Sequence, residues 1–199
     1  VKVYLALKEA ALKYELTAIT VRCFELVQQL KTTGCFGLAQ LTEDGIISGC
    51  EGDLVSTVGM LWAYKLLDEI PWMANPAQID EINNSLFLAH CTVPKNIVEE
   101  YSLRSHFESG LGVGLQGKFS TQPVTLLRLG GKSMERIWIA EGNIIKAGFA
   151  ENLCRTQAEI KLTEGGNVKD LLNSPLGNHI VMVFGHHMMR LQHWWDNIR

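Results

Sequence analysis

The stretch Ile46-Ile47-Ser48-Gly49-Cys50-Glu51-Gly52-Asp53-Leu54 decides how the first half of the chain is read. Its apolar start predicts a short strand over residues 46–50, its centre a turn, and its end the opening of a long helical pattern over 54–67. Asp53 stands where a helix needs a cap, because its carboxylate can accept the backbone N–H groups that the first turn leaves unpaired. Glu51 stands at the carboxyl end of the strand, the place where α/β proteins gather their chemistry. A carboxylate there can bind a cation, take a proton from a substrate, or serve only the backbone around it.

Upstream, Val3, Leu5, Leu7, Ala10, Ala11 and Tyr14 recur among Lys and Glu and predict a helix over 2–15. A β-branched run predicts a strand over 17–23, followed by helices over 24–31 and 36–41. The 54–67 helix is expected to bury a stripe of Leu54, Val58, Leu61, Trp62, Leu66 and Leu67. Strands alternating with helices imply parallel βαβ units.

Downstream of Pro71 the pattern changes. Strands are predicted over 72–79 and 85–91 with no helix between them, then a polar, helix-tolerant stretch over 96–101. Further strands follow over 112–119, 124–129, 135–141, 143–149 and 158–162, separated by turn signals such as Gly130-Gly131, Glu141-Gly142-Asn143 and Gly165-Gly166. A short helix (168–172), a strand (179–184) and a closing helix (187–198) complete the chain. Regular short strands with glycine-rich turns suggest a small antiparallel barrel or sandwich. The expected fold class is therefore α/β followed by mostly antiparallel β. Residues 1–95 read as the end of a parallel-sheet α/β domain that carries the metal or catalytic chemistry. Residues 96–199 read as a small β-barrel-like C-terminal domain, with the boundary falling within 92–105.

The composition, 47% hydrophobic and 20% charged over 199 residues, is that of an ordinary globular protein with a sizeable core. A net charge of −3 without a Lys/Arg cluster gives no nucleic-acid surface, and every apolar run is broken well short of a membrane span. No nucleic-acid or membrane partner is expected. Five scattered cysteines (Cys23, Cys35, Cys50, Cys91, Cys154) without a CxxC pair argue against a disulfide framework or a zinc site; they read as small buried hydrophobes, reduced in a cytoplasmic protein. The chain opens at Val1, without Met, and enters helical periodicity at once, so it is expected to be a segment of a longer protein.

Three histidines fall at strand ends or beside glycines: His90 after an apolar run, His106 ahead of Gly110, and His179 after Gly177-Asn178. His186 and His187 do not form a metal pair on a helix, since adjacent helical residues diverge by about 100°. The run Gly110 to Gly117 lacks the Lys-Ser/Thr of a phosphate loop and precedes strands rather than a helix. With no Gly-x-Ser-x-Gly either, nucleophilic hydrolysis has little support. What remains is Glu51 with His90 and His179, and mixed carboxylate and imidazole ligands suit Mn²⁺ or a similar divalent ion.

Cys50-Glu51-Gly52-Asp53 with its helix, Leu88-Ala89-His90-Cys91-Thr92, and Gly177-Asn178-His179 occur in the order seen in the L-fucose/L-arabinose isomerase superfamily. The chain resembles the C-terminal portion of such an enzyme, in the fucose isomerase-like branch, over nearly all its length. The resemblance implies that 1–95 is the end of the middle domain and 96–199 the C-terminal domain, and that an N-terminal portion contributing to substrate binding lies elsewhere. It implies a homo-oligomeric aldose–ketose isomerase that moves protons through an enediol with a divalent metal, usually Mn²⁺, bound to the sugar. Glu51 then matches the catalytic, metal-binding glutamate, His179 a late histidine ligand, and His90 a histidine that ligates metal in the arabinose isomerase branch or contacts substrate. The second acid of the pattern falls within 71–76, where this chain offers Asn75, or Ala74 if the alignment slips by one. An amide oxygen can ligate a metal but cannot exchange a proton at neutral pH. His106 is a candidate substrate contact at the rim. The alternatives are a sugar-binding relative that has lost the reaction, or another metal-assisted sugar transformation such as epimerisation.

Overall fold

A computed structural model describes residues 1–198. The first part runs α1 (Lys2–Lys13), β1 (Ala18–Thr20), α2 (Cys23–Leu30), α3 (Cys35–Glu43), β2 (Ile47–Gly49) and α4 (Leu54–Leu67). It continues with β3 (Trp72–Asp80), β4 (Ser85–His90), a 3₁₀ turn (Lys95–Ile97), β5 (Glu100–Arg104), β6 (Gly114–Lys118) and β7 (Pro123–Gly130). The last elements are β8 (Arg136–Gly148), β9 (Thr156–Gly165), α5 (Val168–Asn173), β10 (Ile180–Phe184) and α6 (Met188–Asn197). No helix among the described residues is long and apolar enough to cross a membrane.

Six strands close into an antiparallel barrel in the order β10-β3-β4-β9-β8-β7, so none of the six leaves an unpaired edge. Side chains alternate along each strand, and the two faces build two cores. Trp72, Ala74, Leu88, Leu126, Ile160 and Ile180 fill the inside. The outward-facing Met73, Leu127, Val181 and Val183 pack instead with Ile47, Met60, Ala63 and Leu67 from the helical part. β1 and β2 form the one parallel pairing among the described residues, three residues from each strand. The strands β3 and β4, from the stretch read with the α/β part, are barrel strands, so the barrel draws on chain from both sides of residue 95.

Three readings of the sequence need correction. The stripe on α4 is rotated: Leu54 and Val58 are 69% and 41% exposed, while Ser56, Thr57, Gly59, Met60, Ala63 and Leu67 are buried. Small residues face the barrel because the helix lies close on it; a Cβ on Gly59 would already touch Leu127 and Val181. Second, 135–141 and 143–149 are not two strands but the single 13-residue β8. Its register against β9 shifts at Glu141/Gly142, and a Cβ on Gly142 would come within 2.4 Å of the Lys161 carbonyl oxygen. That glycine marks a bulge with close backbone approach, not a turn. Third, 96–101 is not helical beyond the 3₁₀ turn; it leads into β5, which pairs with β6 as a separate hairpin.

The joint between β2 and α4 depends on Gly49, whose added Cβ would lie 1.9 Å from Thr57 Oγ1. Gly49→Ala is expected to cost about 2 kcal/mol by overpacking, read as a lower urea midpoint. The double variant Gly49→Ala/Thr57→Ala recovers most of that loss. An unchanged midpoint in Gly49→Ala contradicts the close contact.

Candidate metal and catalytic site

The turn after β2 carries Glu51 on a left-handed backbone, φ 59°, followed by Gly52 at φ 69°. A non-glycine residue holds that conformation only when its surroundings fix it. Here the Gly52 N–H donates to the Val21 carbonyl (3.0 Å) and the Asp53 N–H to the Cys50 carbonyl (3.0 Å). The Cys50 N–H reaches Met73 Sδ on β3 at 3.2 Å, so the turn is tied to the barrel as well as to the residue that follows β1. Asp53 caps α4: its Oδ1 accepts the Ser56 N–H at 2.9 Å and its Oδ2 the Ser56 hydroxyl at 2.7 Å.

The turn aims the Glu51 carboxylate at two buried imidazoles from different barrel strands. His90, the last residue of β4, places Nε2 3.8 Å from Glu51 Oε1; His179, just ahead of β10, places Nε2 3.6 Å from Oε2. The two rings meet edge-on, 5.3 Å between centroids. One ligand atom each from Glu51, His90 and His179 lies within 4.8 Å of the other two. These separations are too long for hydrogen bonds. They approach the roughly 3.0–3.5 Å expected between neighbouring donors that share an ion at about 2.1 Å.

The far nitrogen of each ring is held. His90 Nδ1 pairs with Thr92 Oγ1 at 2.6 Å, and His179 Nδ1 with Asp53 Oδ2 at 2.9 Å. A carboxylate can only accept, so His179 Nδ1 carries the hydrogen. With Nδ1 spoken for, Nε2 of His179 is buried and has no hydrogen-bond partner among the described residues. An imidazole fixed through one nitrogen by a carboxylate, with the other aimed at a second carboxylate, is the arrangement of a metal-binding histidine. The residues fit a divalent cation.

The electrostatics agree. His179 foremost, and His90 with it, holds the Glu51 carboxyl far below the usual carboxylate range. Burial pushes Asp53 upward, but His179 and Ser56 outweigh it and hold the carboxyl down at about 2. Burial also disfavours a charged His179, yet Asp53 and Glu51 overcome it and raise its pKa. His90 goes the other way, lowered by burial that Glu51 offsets only in part. Two ionised carboxylates thus face His179, an arrangement that favours positive charge between them.

Asn75 lies on β3 opposite Ala89 and on the same strand face as Met73. Extending the β10–β3 register beyond Ile180↔Ala74 sets it across from His179. His106, buried in the loop between β5 and β6, directs Nδ1 to Ser109 Oγ (3.0 Å), with Nε2 3.9 Å from Glu108, and is not among the converging three. Two partners escaped the sequence reading. Asp53 was legible as a cap but not as the anchor of a histidine far along the chain. Thr92 stands two residues after His90, a spacing that brings it to the ring only because the strand ends there.

No protein-family profile matches the chain. Sulfoquinovose isomerases from Priestia aryabhattai and Priestia megaterium are each 22% identical to it over 178 residues, 86% of this chain and 40% of their own length. A sulfoquinovose isomerase from Alkalicoccus urumqiensis is 25% identical over 131 residues, 63% of this chain and 30% of its own length. The chain thus spans about 40% of the first two relatives.

A raised His179 stabilises the metal-free fold below its unfolded value near 6.5, and that contribution is lost as pH rises through the folded value. The lowered Glu51 and Asp53 contribute above the unfolded carboxylate values, and lose it as pH falls through the folded ones. A cation must displace the His179 proton, so Mn²⁺ affinity by calorimetry should fall up to about tenfold per pH unit once pH drops below the raised value. Asp53→Asn keeps a good cap but not the carboxylate, and should weaken Mn²⁺ roughly 10–100-fold. Affinity independent of pH between 8 and 6 contradicts this assignment.

Proposed function

We propose that the chain forms the metal-binding part of an aldose–ketose isomerase, with Glu51, His90 and His179 as protein ligands of a divalent cation such as Mn²⁺. The observation that carries this is the convergence of those three donors while Asp53 and Thr92 hold the opposite ring nitrogens. When bound, the cation supplies Lewis-acid polarisation of the carbonyl and the neighbouring hydroxyl of an open-chain sugar. Glu51 accepts the proton from C2 and returns it to C1, while the proton of the C2 hydroxyl passes to O1, so that the enediol collapses to the ketose. Its carboxyl, held far below the usual range by the two histidines, stays ionised at neutral pH and free to ligate. Asp53 keeps His179 oriented and takes no part in proton transfer, because its oxygens are committed to Ser56 and His179. Asn75 is proposed to contribute its amide oxygen as a ligand or substrate contact, and His106 to meet the sugar at the rim.

Sulfoquinovose is the first aldose to try, from the names of the relatives. A homo-oligomeric state and a cytoplasmic setting belong to the same proposal. A second reading has its own support: Asn75 cannot exchange a proton, which favours a sugar-binding relative that has lost the reaction.

Incubation with Mn²⁺ and a panel of aldoses in deuterated water separates the two. Isomerisation predicts deuterium at the exchanging carbon and the appearance of ketose, with Glu51→Gln slowing both by roughly 10²–10⁴-fold. Sugar binding without exchange across the panel assigns the chain to the second reading.

A further inference from the structure

Six buried side-chain atoms have no hydrogen-bond partner among the described residues, and two of them belong to one cation: Nε and Nη2 of Arg128. The residue is 3% exposed. A buried guanidinium without a counter-charge is unfavourable, and arginine does not relieve it by losing its proton. Burial lowers the pKa to about 10, which leaves Arg128 charged at neutral pH. Asp53 is the negative charge that acts on it, but that carboxylate is already bound to Ser56 and His179.

The position of Arg128 ties it to the site. It lies on β7, where the ladder to β10 runs through Leu127↔Val181. The next step sets Arg128 beside Ile180, one residue from His179. The cover over the guanidinium is Gly177, whose added Cβ would lie 2.8 Å from Nη2. Gly177 and Asn178 are themselves exposed, so a thin stretch of backbone leading into His179 covers this cation on the solvent side. Nε and Nη2 form the side-on edge of the guanidinium, the edge that takes two oxygens of one oxyanion at once.

We infer that Arg128 is an anion-recognition residue of this site, binding an oxyanion carried by the sugar at the end away from the carbons that react. The sugar part rests on the isomerase reading above; the anion part rests on Arg128 itself. A sulfonate, a phosphate or a carboxylate on the sugar would present the required chemistry, and the test distinguishes them. Met in place of Arg128 keeps much of the side-chain length and removes both the charge and the unpaired donors.

The binding arm uses the 199-residue chain with inorganic sulfate or phosphate against chloride at equal ionic strength. Both anions should raise the melting temperature of the wild type more than that of Arg128→Met, whose own melting temperature in chloride is equal or higher. The kinetic arm compares a sulfonated, a phosphorylated and a carboxylated aldose with the neutral parent sugar. Arg128→Met should lower kcat/KM for the preferred anionic sugar roughly 10–100-fold and leave the neutral sugar unchanged. A melting temperature several degrees lower in Arg128→Met with undiminished anion sensitivity makes the residue structural and overturns the inference. Equal losses on neutral and anionic sugars do the same. Failure of the isomerase reading abolishes turnover with every sugar but leaves the sulfate and phosphate comparison intact.

Discussion

The hydrogen bond from His179 Nδ1 to Asp53 Oδ2 joins residues 126 positions apart, and the arrangement of the site depends on it. One carboxylate performs two tasks with different oxygens: Oδ1 takes the first-turn N–H of α4, and Oδ2 takes the imidazole together with the Ser56 hydroxyl. The helical part and the barrel share an apolar core, but that packing is non-directional and would tolerate small slides. The Asp53–His179 bond adds direction. It sets the ring plane, chooses the tautomer, and turns Nε2 toward Glu51, whose own placement comes from a turn pinned to Val21.

Much of the local architecture is legible because it rests on local chemistry. A β-branched or apolar run followed by a turn and an Asp-headed helix gives β2, the Glu51 turn and α4, and Asp53 reads as the cap it is. The barrel strands are likewise visible as alternating runs. What escapes the sequence is mostly non-local. The buried side of α4 is set by how closely the barrel approaches, which favours Gly59 and Ala63 over the larger Leu54 and Val58. Gly142 signals both a turn and a bulge, and only the partner strand β9 distinguishes them. Strands β3 and β4 read as plain hairpin strands, and nothing local says that β10 and β9 close around them.

The same division runs through the site. Glu51, His90 and His179 announce themselves by chemistry-bearing side chains at strand ends, and the fold brings them together. Asp53's hold on His179 and the orphaned donors of Arg128 have no such mark, since both arise from contacts between distant strands and turns. His106, as conspicuous in the sequence as the others, directs Nδ1 to Ser109 in its own loop and is not one of the converging three.

In the proposed site His90 and His179 both turn Nε2 to one cation beside Glu51. Pulsed electron paramagnetic resonance of the Mn²⁺-loaded chain reads this directly through couplings to directly bound ¹⁴N nuclei. Couplings from two imidazole nitrogens are expected, reduced to one in His90→Ala or His179→Ala. Mn²⁺ bound with no ¹⁴N coupling, or a wild-type spectrum in both variants, contradicts it.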